Sequence, residues 1–168
     1  MRLLLDTNVL IDGFLAREPY YQDWLRILDL WICGRAELWA SAKSFTDISY
    51  VCCKSNDSAV VQRAFVECFR YLNVCSIGGQ DVLSAARLEW HDFEDCLTYQ
   101  AALKIKADFI ITRNAKDFAR SSIPALVPSE FFDYLREHEH LVFEDDVLCL
   151  KTRYGAHSSQ GTRRPAES

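Results

Sequence analysis

The chain has 168 residues, 49% apolar and 26% charged, enough for one domain with a real core and too apolar for fold-wide disorder. Its formal net charge is −5, and Lys151, Arg153, Arg163 and Arg164 set against Glu167 leave the body ahead of them more acidic still. That argues against broad electrostatic capture of nucleic acid. No apolar run reaches the length of a membrane span, and the run after Arg2 meets Asp6 too early for a signal peptide, so a cytoplasmic protein without a membrane partner is expected.

Arg2–Leu5 predicts a short buried strand, and Thr7–Ala16 a helix capped by Asp6 or Thr7. Glu18-Pro19 breaks that helix. Tyr20–Cys33 forms the next helix, with Tyr20, Trp24, Ile27, Leu28 and Trp31 on one stripe and Gly34 after its end. Trp24 and Trp31 suit either a core or a docking face for a partner or a second copy. Glu37–Ala40 reads as a strand, and Ser41 as the cap of a helix reaching Lys54. A helix over Ala59–Tyr71, a strand over Asn73–Ile77 and a helix over Gln80–Glu89 follow. Then come a helix over Phe93–Lys106, a strand over Asp108–Thr112, a short strand near Ala125–Val127 and a helix from Pro128 to about Glu137. Strands alternating with helices imply a central parallel sheet covered on both faces. Residues 1–150 are expected to form a single domain, with Leu141–Leu150 adding a strand or an arm and residues 151–168 a disordered polar tail. The seven cysteines are odd in number and contain no CxxC pair, which favours reduced core thiols over disulfides or zinc ligands.

Four acidic motifs stand where strands give way to helices, the side of an α/β sheet on which ligands bind. Asp6-Thr7-Asn8 follows the first strand, where Asp6 is a helix cap or a metal ligand. Asp12 is expected on a solvated or helix-stabilising face. Asp47 lies in the helix after the second strand. Asp92 and Asp95 are three apart at a helix start, so both carboxylates share roughly one face. After the fourth strand, Thr112-Arg113-Asn114 bring hydroxyl, guanidinium and amide groups suited to phosphate, followed by Asp117-Phe118.

In this order the motifs resemble the PIN-domain family, and the chain looks like its small bacterial toxins of VapC type. The resemblance implies a three-layer α/β/α sandwich with a mainly parallel sheet, and ribonuclease activity dependent on Mg²⁺ or Mn²⁺. Carried over by position, Asp6, Asp95 and Asp117 match metal-binding acids, with Asp92 sharing or replacing part of the role of Asp95. Asp47 matches a helix acid that is commonly Glu; being one methylene shorter, it can act through water. Asp6, Asp47, Asp95 and Asp117 are thus the catalytic candidates, and Asn8, Thr112, Arg113 and Asn114 the substrate-binding ones. Metal-activated water would attack an RNA phosphodiester, leaving a 5′-phosphate and a 3′-hydroxyl. The toxin-like resemblance also implies a cognate antitoxin protein, and a homodimer is compatible with the aromatic helix. A non-catalytic PIN-like module that binds RNA or protein is the main alternative. A haloacid-dehalogenase-like phosphatase fits less well, since it would want an acid where Asn8 stands.

Overall fold

The strand that opens the chain lies at the middle of the sheet. In a computed structural model that describes residues 1–141, five parallel strands run in the order β3-β2-β1-β4-β5. They are β1 (Arg2–Leu5), β2 (Glu37–Ser41), β3 (Leu72–Cys75), β4 (Phe109–Ile111) and β5 (Ala125–Leu126). The register pairs Leu3 with Leu38 on one side and with Phe109 on the other. Leu3, Leu4 and Leu5 are all fully buried, as expected of a strand covered on both faces.

Strand pleating sends neighbouring side chains to opposite layers. Leu3 and Leu5 join a core with Trp24, Ile27, Ile48, Val61 and Phe131, while Leu4 joins a separate one with Tyr99, Ala101, Ile105 and Phe118. The first layer therefore holds α1 (Thr7–Phe14), α2 (Tyr20–Ile32), α3 (Ser44–Cys52), α4 (Ser58–Cys68) and α7 (Pro128–His138). The opposite layer holds α5 (Gly79–Leu88), α6 (Phe93–Ile105) and a 3₁₀ turn over Ala115–Phe118. This is the three-layer parallel architecture expected from the sequence.

Several boundaries move for local reasons. β2 runs through Ser41, so that residue is a strand end rather than a cap, and its hydroxyl accepts from the Lys43 N–H at 3.3 Å. α4 starts at Ser58 because the Asp57 carboxylate accepts from the Ala59 N–H at 2.7 Å. Trp24 is a core residue, whereas Trp31 is 37% exposed. Gly13 lets α1 and α2 approach closely, since a Cβ there would overlap the Trp24 indole. Cys52, Cys68, Cys75 and Cys96 are buried free thiols, and Cys53 is free but exposed. The arm expected over 141–150 lies, apart from Leu141, outside the described residues, as does the tail expected over 151–168.

Candidate metal centre

Parallel strands carry their C-terminal ends to one edge, and the acidic motifs meet there. Asp6 sits between β1 and α1 in an extended conformation, 6% exposed. Its own N–H donates to the Ile111 carbonyl at 2.9 Å, which fixes it against β4. One carboxylate oxygen accepts from the Thr7 N–H at 2.6 Å, and the other from Asn8 Nδ2 and Thr112 Oγ1, both at 2.7 Å. Asp6 is therefore a helix cap and a cleft residue at once. Burial raises its pKa, and the Thr112 and Thr7 hydrogen bonds offset only part of that.

A cleft of about 420 Å³ opens above Asp6. Asp95 enters it from the first turn of α6, Asp117 from the 3₁₀ turn after β4, and Asp47 from α3. Asp92 stands at the rim, where its Oδ1 caps α6 by accepting from the Glu94 and Asp95 N–H groups at 2.8 and 3.3 Å. Crowding leaves its mark on Asp95: burial first, then the neighbouring Asp6, Asp92, Asp117 and Glu94 carboxylates, push its pKa up to about 7.

Asn8, Arg113 and Asn114 also line the cleft, but Thr112 does not. Thr112 is fully buried, and its hydroxyl bridges Asp6 to the Asn114 N–H (3.0 Å), so in this structure it holds the site together from behind. Asn8 works similarly, accepting from the Arg113 N–H at 3.2 Å through its Oδ1.

Asp12 corrects the expectation of a solvated acid. It is 2% exposed, because α1 is packed between α2 and α3, and Arg113 Nε lies 3.4 Å from its Oδ2. Its other oxygen has no hydrogen-bond partner among the described residues. Burial raises its pKa, and the Arg113 and Arg17 charges pull it back. The Arg113 guanidinium also sits 4.7 Å above the Tyr20 ring, so it is clamped between an acid and an aromatic face at the cleft wall.

Two charged residues of the site escaped the sequence reading. Lys43, just ahead of α3, pairs with Asp47 at 2.8 Å and with Glu94 of α6. Burial opposes its charge, yet the Asp47 and Glu94 hydrogen bonds outweigh that and its pKa is raised. The spacing of four between Lys43 and Asp47 was a visible signal, but nothing in the sequence brings Glu94 to them. Beside the cleft, a second hollow of about 270 Å³ shares Asp92 and Asp117 and is lined by Trp90, His91, Lys116 and Arg120. Trp90 stacks on Tyr99 at 5.1 Å, and Arg120 donates to the Leu88 and Glu89 carbonyls at 2.7 and 2.9 Å.

Residues 2–116 match the family model described as the PIN domain. The chain belongs to the PIN-domain family. Solved PIN-like structures share the architecture. VapBC-1 from nontypeable Haemophilus influenzae aligns with TM-score 0.60 and 20% identity, covering 77% of this chain and 99% of that one. VapBC2 from Rickettsia felis, bound to a DNA fragment from its promoter, aligns at 0.57 and 18%, covering 76% and 98%. A toxin-antitoxin complex from Klebsiella pneumoniae aligns at 0.55 and 25%, covering 75% and 97%. No curated protein matches the chain.

PIN domains are generally nucleases that use divalent metal, and the donor chemistry of this cleft suits such an ion. Its carboxylates are hard oxygen ligands, with no cysteine or histidine among the cleft-lining residues. Burial raises Asp95 most, and the Asp6, Asp92, Asp117 and Glu94 carboxylates add to it, a repulsion that a bound cation would relieve. Among the described residues, no group of three His, Cys, Asp or Glu is gathered tightly enough to cage an ion unaided. An ion here would therefore keep several waters, as Mg²⁺ commonly does.

Proposed function

We propose that this PIN domain is a Mg²⁺- or Mn²⁺-dependent endoribonuclease that hydrolyses RNA phosphodiesters, and that it serves as the toxin of a toxin–antitoxin pair. One observation carries the reading. Asp6, Asp95 and Asp117, from three separate junctions, line a single cleft in which their mutual repulsion helps raise Asp95 to about 7. These three would hold the cation, with Asp92 at the rim. Once bound, such an ion supplies Lewis-acid polarisation and makes water a stronger nucleophile near neutral pH.

The chain's own residues supply position. Thr112, Asn8 and the Thr7 N–H fix the Asp6 carboxylate, so it need not reorganise. Arg113, clamped by Asp12 and Tyr20, presents a planar cation to a phosphate entering the cleft. Asn114 adds an amide beside it. Trp90, Lys116 and Arg120 form the basic, aromatic counterpart that an acidic body otherwise lacks, suited to an unstacked RNA base and its phosphate.

A cognate antitoxin is proposed because the VapBC and Klebsiella matches are toxin–antitoxin complexes. The partly exposed α2 face around Trp31 and Ile32 is available to it or to a second copy of this chain. Cleavage of structured RNA with Mg²⁺ or Mn²⁺, comparing the wild type with Asp6→Asn and Asp95→Asn, tests the activity. Cleavage undiminished in both folded variants would sink the assignment. Co-purification with the product of an adjacent small gene tests the partner.

A further inference from the structure

The acids of the cleft are not equivalent. Asp47 and Glu94 share the Lys43 ammonium, at 2.8 Å for Asp47, and the Lys43 side chain is only 23% exposed. Among the described residues, none of Asp6, Asp95 and Asp117 is ion-paired to a lysine or arginine. Of the two cations at the cleft, Lys43 is paired with Asp47 and Glu94 and Arg113 with Asp12, so neither forms an ion pair with Asp6, Asp95 or Asp117 among the described residues.

We infer that the cleft takes one divalent cation per chain, at Asp6, Asp95 and Asp117, because the Lys43 ammonium already engages Asp47 and Glu94, the carboxylates that, apart from Asp92 at the rim, the cleft would otherwise offer to a second ion. This rests on the metal reading proposed above. The geometry makes the arrangement hard to displace. Lys43 immediately precedes α3, one turn ahead of Asp47, and also reaches across to α6, so it ties the start of α3 to α6 at the cleft wall. An ammonium has three donors, and two are met by carboxylates here. A second dication would have to evict a partly buried ammonium into a cleft that already holds positive charge. Aspartate at position 47 fits the same reasoning, since its carboxylate already accepts from Lys43 at 2.8 Å. Lys43 is thus a positioning residue that sets metal stoichiometry, and Asp47 acts through it.

The test is Mn²⁺ titration of the full chain by calorimetry, with bound Mn²⁺ counted by electron paramagnetic resonance at saturation. Wild type and Lys43→Arg are expected to hold one ion. Lys43→Met, which frees Asp47 and Glu94, is expected to hold two, and Lys43→Met combined with Asp47→Asn to return to one. Circular dichroism checks folding, and Lys43→Gln replaces Lys43→Met if that variant does not fold. Two ions on the wild type overturn the inference while upholding the metal reading. A single ion on the folded, lysine-free variant also overturns it. No ion on any of these proteins overturns the inference and the metal reading together.

Discussion

The two halves of the acidic cleft show how differently a fold can treat the same charge. On the α3 side, Asp47 and Glu94 share the single positive charge of Lys43, which halves their negative charge from within the chain. On the strand-end side, burial first and then the nearby Asp6, Asp92 and Asp117 carboxylates drive Asp95 to about 7. A structural acid usually receives an ion-pair partner, so a cluster without one among the described residues, held by pre-set hydrogen bonds, is the better candidate for a functional site.

The largest test of that contrast is catalytic. Asp6→Asn is expected to lower metal-dependent RNA cleavage by about 10²–10³-fold, a loss typical of a group that stabilises developing charge. Asp47→Asn should cost only about tenfold, as for an outer residue that orients the site. Equal losses in a single-turnover assay would erase the distinction between the halves.

Arg113→Ala extends the contrast to a third carboxylate. It would leave Asp12 buried without its nearby cation, at a stability cost of about 3 kcal/mol in urea denaturation. Asp12→Asn together with Arg113→Ala should recover much of that loss.

A smaller effect lies in the pH dependence of the metal-free protein. The folded pKa of Asp95 is raised to about 7. Between about pH 4 and 7 the folded state therefore binds a proton that the unfolded state has released, and stability falls as pH rises through that window. Asp95→Asn removes the penalty. With allowance for solvent screening of this half-buried group, it should stabilise the metal-free chain by about 1–2 kcal/mol at pH 8 and by little at pH 4. Thermal melts at the two pH values decide it; an equal shift at both would show that Asp95 is not the crowded group. Smallest of all, Trp90→Ala should raise KM for RNA about threefold with little change in kcat if its stacking face binds substrate.

Much of this was legible because it is local. The buried strand Arg2–Leu5, the stop at Asp6, the paired acids at the head of α6 and the polar run after β4 are written in consecutive residues. Parallel topology then brings their ends together without further information. What stayed hidden depends on contacts between distant elements. Asp12 looked solvated because helix periodicity does not reveal that α1 is enclosed by both α2 and α3. Thr112 resembled a phosphate contact by composition, but the pleat turns it inward onto Asp6. Lys43 and Glu94 meet only because α3 and α6 converge at one sheet edge.

The central position of β1 has a consequence for how the chain comes into being. β1 needs β2 on one flank and β4 on the other, and β4 begins only at Phe109. A nascent chain must therefore carry the apolar β1 with one open edge until Phe109–Ile111 has been made, a slow, long-range closure by topology. The same order delays the cleft, since Asp6 emerges first and Asp117 last. Chains ending before residue 117 would lack a complete acid set, so the cleft is assembled only after nearly all of the sheet has been made.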